Sequence, residues 1–135
     1  MANVKQFKKG LKTPISKNFS SHEWDCSCKR SDCQWTFIDM DHVAYLQKKR
    51  DKWGKSVKIT SGYRCPAHNE LEGGSTNSQH KVSTATDIIV VGMTPEEVAS
   101  DCEDANGLGR YDTFTHVDSR TLGNKPKARW NFRKK

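Results

Sequence analysis

The chain has 135 residues and a formal net charge of +7. That length suits one domain, and no apolar run approaches the roughly 20 residues of a membrane-crossing helix, which excludes a bundle of spanning helices. Hydrophobic residues make up only 33% of the chain, but four Trp, five Phe and three Tyr supply bulky material for one small core.

The positive charge gathers at the ends. Lys5, Lys8, Lys9, Lys12 and Lys17 crowd the N-terminus, and Lys125, Lys127, Arg129, Arg133, Lys134 and Lys135 the C-terminus. Such a field attracts polyanions, whether nucleic acid, anionic wall polymers or membrane surfaces, and it equally suits solvated tails that aid solubility. The N-terminus has charges but neither the apolar segment nor the small-residue cleavage site of a secretory signal. The expectation is a protein made in the cytoplasm without a signal peptide. Cys26, Cys28, Cys33, Cys65 and Cys102 are odd in number, so in the expected monomer at least one is unpaired. A cytosolic origin argues against obligatory disulfides.

Taken in order, residues 1–18 read as a basic arm and residues 19–135 as a single domain. Ser20 or Ser21 can cap a short turn ahead of Trp24. Cys26-x-Cys28-x4-Cys33 follows, with three open readings. It is a small structural zinc knot with Cys65 or a nearby His as fourth ligand, or it supplies a disulfide, for instance to Cys65, or its thiols are free and buried. The spacing departs from the C-x2-C of zinc fingers, which favours the free thiols. Asp39 to Trp53 reads as a helix, with Asp39 or Asp41 as N-cap, Val43, Leu46 and Trp53 near one face, and Gly54 as terminator. Lys48, Lys49, Arg50 and Lys52 are assigned to the opposite face. Ser56–Thr60 alternates as a short strand and delivers Ser61-Gly62-Tyr63-Arg64 to its end. Residues 65–79, rich in Gly, Asn and Ser, form a loop. Thr84–Val91 is β-branched and apolar, a buried strand. Thr94-Pro95-Glu96-Glu97 opens a helix to about Asp104, with Thr94 as N-cap and Pro95 at the first position. Gly107 to Arg120 suggests a hairpin turning near Asp112-Thr113. Gly107-x-Gly109 lacks the context of a phosphate-binding loop. Ala128–Phe132 reads as a last edge strand with Trp130 and Phe132 inward. The fold class expected is α+β, a small antiparallel sheet flanked by two or three helices.

His80, Asp87 and His116 are the donor types of a catalytic zinc, which takes three protein ligands and keeps a fourth position open. His80 falls on the loop before the 84–91 strand and Asp87 near its start. Side chains alternate along a strand, so Phe114, His116 and Asp118 share a face. If the two strands are neighbours, His116 can meet Asp87 and His80. A His-x6-Asp pair is common, however, and carries little weight alone.

Ser61-Gly62-Tyr63-Arg64, then Ser78-x-His80-x-x-Ser83-x-Ala85-x-Asp87, then His116-Val117-Asp118 resembles the zinc D-alanyl-D-alanine carboxypeptidase and L-alanyl-D-glutamate endopeptidase family, closest to its small phage and prophage members. The likeness runs from about Phe19 to Trp130. It implies one catalytic zinc held by His80, Asp87 and His116, and a substrate drawn from bacterial peptidoglycan. It also implies that Arg64 binds substrate; a guanidinium holds a carboxylate by two parallel hydrogen bonds. Ser78 is placed to orient His80, and Tyr63 or Tyr111 to stabilise an oxyanion. Two departures stand out. Ser83 occupies a position where the family has glycine. Thr113 stands three residues before the last histidine, where many members carry the acid that moves the proton. Asp112 is then the preferred base, with Asp118 as the alternative or as a partner of His116. The implied role is an endolysin cutting between L-Ala and D-Glu after release from the cytoplasm, with D-Ala-D-Ala carboxypeptidase as the near alternative. A nucleic-acid-binding protein using the basic termini, and a zinc-bearing structural module without chemistry, are the readings from other classes.

Overall fold

The run expected to be a buried strand forms β-structure over Ala85–Val90, and its alternation explains the layering. Thr86, Ile88 and Val90 are buried, whereas Ile89 is exposed. The computed structural model, which describes residues 4–26, 28, 33–65, 85–118 and 128–131, is α+β, as the patterning predicts. Strands β1 (Val4–Lys8) and β2 (Trp35–Asp39) form a two-stranded antiparallel ladder. Strands β3 (Val57–Ser61), β4 (Ala85–Val90), β5 (Gly107–Arg110), β6 (Thr115–Asp118) and β7 (Ala128–Asn131) form a second sheet in the order β3-β4-β6-β5-β7. Its neighbours are antiparallel except β5 and β7, which run parallel. Among the described residues no helix is long and apolar enough to cross a membrane.

Helix α1 (Met40–Trp53) begins where Asp39 accepts a hydrogen bond from the Asp41 amide at 3.0 Å. It ends at Gly54, whose φ of 63° is left-handed; a side chain there would be strained. Val43 and Leu46 enter the core as expected. Lys49 does not join the polar face. It is only 8% exposed, and its ammonium donates to the Asp101 carbonyl at 2.5 Å and lies 3.2 Å from the Asp104 carboxylate. The lysine stem covers apolar surface while its head reaches the negative end of the second helix.

That helix, α2 (Pro95–Asp101), is three residues shorter than expected, because residues 102–104 form turns. Its start matches the expectation: Thr94 Oγ1 accepts from the Glu97 amide at 3.1 Å, and Glu97 accepts from the Thr94 amide at 2.8 Å. Thr94→Ala should cost about 1 kcal/mol. Urea denaturation would register this as a lower midpoint at unchanged slope.

One element differs from the reading of the chain alone. The stretch taken as an arm contains β1, because the apolar alternation of β2 needs a partner edge. The Ser21–Trp24 segment forms a single 3-10 turn that buries Trp24 against Phe19, ring centroids 5.7 Å apart. Gly62 passes so close to Trp24 that a Cβ there would lie 2.7 Å from its Cα. This contact, with the Tyr63 amide donating to the Trp24 carbonyl at 2.9 Å, seats the Ser61–Cys65 segment on the N-terminal part of the molecule.

Candidate metal centre

Strand register assembles the centre. β4 pairs with β6 so that Asp87 stands opposite His116, and Ala85 opposite Asp118. On the other side of β4, Ser61 stands opposite Asp87. The conditional expectation that the two strands are neighbours is met. Thr86, Ile88 and Val117 turn to the core, and Thr86 Oγ1 lies 2.9 Å from His42 Nε2 on α1. Asp87 and His116 occupy the opposite face, with part of their surface open.

The geometry at His116 is two-sided. Its Nδ1 is 2.9 Å from Asp87 Oδ1, and its Nε2 is 2.8 Å from Asp118 Oδ2. Asp118 is 1% exposed and His116 7%. Burial by itself lowers the pKa of this imidazole. The hydrogen bonds to Asp118 and Asp87 outweigh it, so the pKa is raised above the ordinary histidine value.

Neighbouring residues are cut to fit. Gly107 stands opposite Asp118, and Gly109 opposite His116. A Cβ on Gly107 would collide with the Asp118 carboxylate, and one on Gly109 would lie 2.5 Å from the Trp130 indole. The indole lies 4.9 Å from the His116 ring, and its Nε1 donates to the Tyr111 hydroxyl at 2.9 Å. Burial raises the Tyr111 phenol pKa; the indole N–H opposes this, Asp87 adds to it, and Arg64 opposes it. Tyr111 therefore senses both Asp87 and Arg64. The contributions of Trp130 and of the two glycines were not apparent in the sequence. Gly107-x-Gly109 has the strand period of two, which was the available sign that both glycines face one neighbour.

The remaining expected site residues are distributed as follows. Tyr63 is 8% exposed, with its ring edge-on to Phe37 at 5.3 Å. Arg64 follows it, half-buried. Asp112 is exposed on the turn between β5 and β6. Ser78, His80 and Ser83 lie outside the described residues, as does Phe132. Cys102 is buried in the core, as expected. The other four cysteines, none of them in a disulfide, are brought together into one cluster that could hold a metal ion. Burial first, then the hydrogen bond to Cys28 and the charges of Cys26 and Cys65, push the Cys33 thiol to about 12.

A carboxylate and an imidazole facing each other across a strand pair, with a second carboxylate behind the imidazole, suit a single borderline cation such as zinc. The donor set fits that ion. The sequence profile of the peptidase M15 family matches residues 17–118, and the chain belongs to this family of zinc-dependent metallopeptidases. Nothing matches the chain among curated proteins or among solved structures.

Proposed function

We propose that this chain is a zinc peptidoglycan peptidase that cleaves stem peptides between L-Ala and D-Glu, acting as a phage or prophage endolysin on the wall after release from the cytoplasm. The observation that carries the reading is the Asp87–His116 pair, held in register by β4 and β6 beside the segment bearing Arg64. Family membership gives the chemistry its class.

Asp87 and His116, through Oδ1 and Nδ1, would hold the zinc, with His80 as third ligand oriented by Ser78. Bound there, the ion supplies Lewis acidity that polarises a carbonyl and acidifies water. Asp118, buried against Nε2, fixes the tautomer and direction of the His116 ring. It is a positioning residue in this reading, which leaves the exposed Asp112 to take the proton of the attacking water and pass it to the leaving amine. Arg64 binds a stem-peptide carboxylate through paired hydrogen bonds. Tyr111, which senses Asp87 and Arg64, is the tyrosine placed to donate to a developing oxyanion. Tyr63 instead braces the Arg64 segment by packing on Phe37. The same machinery would serve D-Ala-D-Ala carboxypeptidase action, and the cut is told apart by mass analysis of the fragments. The positive ends add affinity for anionic wall polymers.

Metal analysis together with digestion of purified peptidoglycan tests the reading. Wild type should hold zinc and clear the walls. His80→Ala should lose the ion of this centre and the hydrolysis with it, and Asp112→Ala should keep that ion while hydrolysis falls on the order of a hundredfold or more. Cleavage undiminished in His80→Ala would remove the site assignment. Undiminished cleavage in Asp112→Ala would remove only the base.

A further inference from the structure

Four cysteines converge from three separate stretches of chain. Cys26 and Cys28 follow the 3-10 turn, Cys33 precedes β2, and Cys65 follows Arg64 beyond β3. Their Sγ atoms all lie within 4.8 Å of one another. Cys65 Sγ is 3.7 Å from Cys26 Sγ and 3.7 Å from Cys28 Sγ. A disulfide requires about 2.05 Å between sulfurs. Four sulfurs around zinc, at about 2.3 Å per bond, form a tetrahedron with edges of about 3.8 Å. The two separations match the edge and not the disulfide.

An ammonium and a backbone N–H face the sulfurs, whereas burial and the crowding of the thiols oppose their ionisation until a cation is bound. The Lys9 ammonium donates to the Cys28 carbonyl at 3.0 Å and lies 3.6 Å from Cys33 Sγ and 3.8 Å from Cys28 Sγ. The Cys65 amide donates to Cys26 Sγ at 3.4 Å. A divalent ion with four thiolates carries a net charge of about −2, and a neighbouring ammonium and N–H···S bonds offset it.

We propose that Cys26, Cys28, Cys33 and Cys65 bind one structural zinc ion, distinct from the Asp87–His116 centre, which ties the N-terminal part of the molecule to the segment carrying Arg64. A complete set of four thiolates leaves no position for water, which makes the role structural. Soft sulfur donors in a tetrahedron select zinc over magnesium or calcium. Cys65 adjoins Arg64, so the ion would hold the end of the Ser61–Cys65 segment that Trp24 already holds through Gly62 and Tyr63. The consequence for Arg64 rests on the peptidase reading; the metal site does not.

Zinc analysis of the full reduced chain tests the proposal. Wild type should hold two ions, His116→Gln one, and the double variant Cys28→Ser/Cys33→Ser one. Cobalt replacing zinc should give an intense thiolate-to-cobalt charge-transfer band that persists in His116→Gln and disappears in the cysteine variant. Should that variant fail to fold, titration of wild type with a mercurial decides the matter, since one zinc should leave as four thiols react. A cysteine variant that keeps the full wild-type zinc, cobalt protein without the charge-transfer band, or a mercurial titration that frees no zinc would each overturn it. Loss of zinc in the cysteine variant but none in His116→Gln would instead overturn the peptidase centre and leave this site standing.

Discussion

Replacing His116 with glutamine should strip the zinc from the Asp87 site and cut peptidoglycan hydrolysis on the order of a thousandfold or more, because the polarised carbonyl and the acidified water depend on the same ion. Glutamine is the instructive replacement. It retains polar atoms beside Asp118, whereas alanine would strand a buried carboxylate, which commonly costs about 3–5 kcal/mol. Activity lost with the fold intact then reports on the ligand. The two carboxylates also set a pH dependence. Burial opposes the His116 cation, but Asp118 and Asp87 overcome it and raise the pKa. In the metal-free protein, the stabilisation from this group is complete below the unfolded value of about 6.5 and is lost as pH rises through the raised folded value. Zinc competes with the proton for Nδ1, so affinity should fall as pH is lowered from about 8 to about 5. Competition with a chromophoric chelator measures this. A wild-type affinity indifferent to pH, or one unchanged in His116→Gln, would show that His116 does not bind the ion.

Gly107→Ala should weaken zinc binding about 10- to 100-fold, as loss of an outer partner of a ligating histidine does. It should also cost about 1–3 kcal/mol of stability, the usual penalty for overpacking. The cause is steric: the new methyl would occupy the volume of the Asp118 carboxylate. Displaced, Asp118 no longer holds His116 Nε2, and the ring is free to turn Nδ1 away from Asp87. Gly109→Ala is the matched control, since its methyl meets the Trp130 indole instead. It should change indole fluorescence first, with a smaller effect on zinc. Equal zinc affinity in wild type and Gly107→Ala would break the link from Gly107 through Asp118 to the metal.

Local features of the structure were legible wherever the physics is local. Asp39 and Gly54 bound α1, and the Thr94–Glu97 pair opens α2, because capping needs only side chains and amides within three or four residues. The β-branched apolar run identified β4 as a strand, and the turn at Asp112-Thr113 separates β5 from β6 as expected. Lys49 departed from its assigned face because the end of α2, about fifty residues away, accepts its ammonium. β1 was hidden for a similar reason: a polar, lysine-rich strand forms when an apolar edge is available to it.

For the site, the sequence by itself determined the donor types, the strand that carries Asp87, and the face shared by His116 and Asp118, since alternation fixes side-chain direction along a strand. Tertiary structure alone decided that β4 and β6 are neighbours, and in the register that sets Asp87 opposite His116. It also decided that Gly107 and Gly109 make room for Asp118 and Trp130, and that Cys65 closes a cluster with cysteines more than thirty residues earlier. Each of these is a contact between distant stretches, specified by register and packing, and no spacing along the chain encodes it.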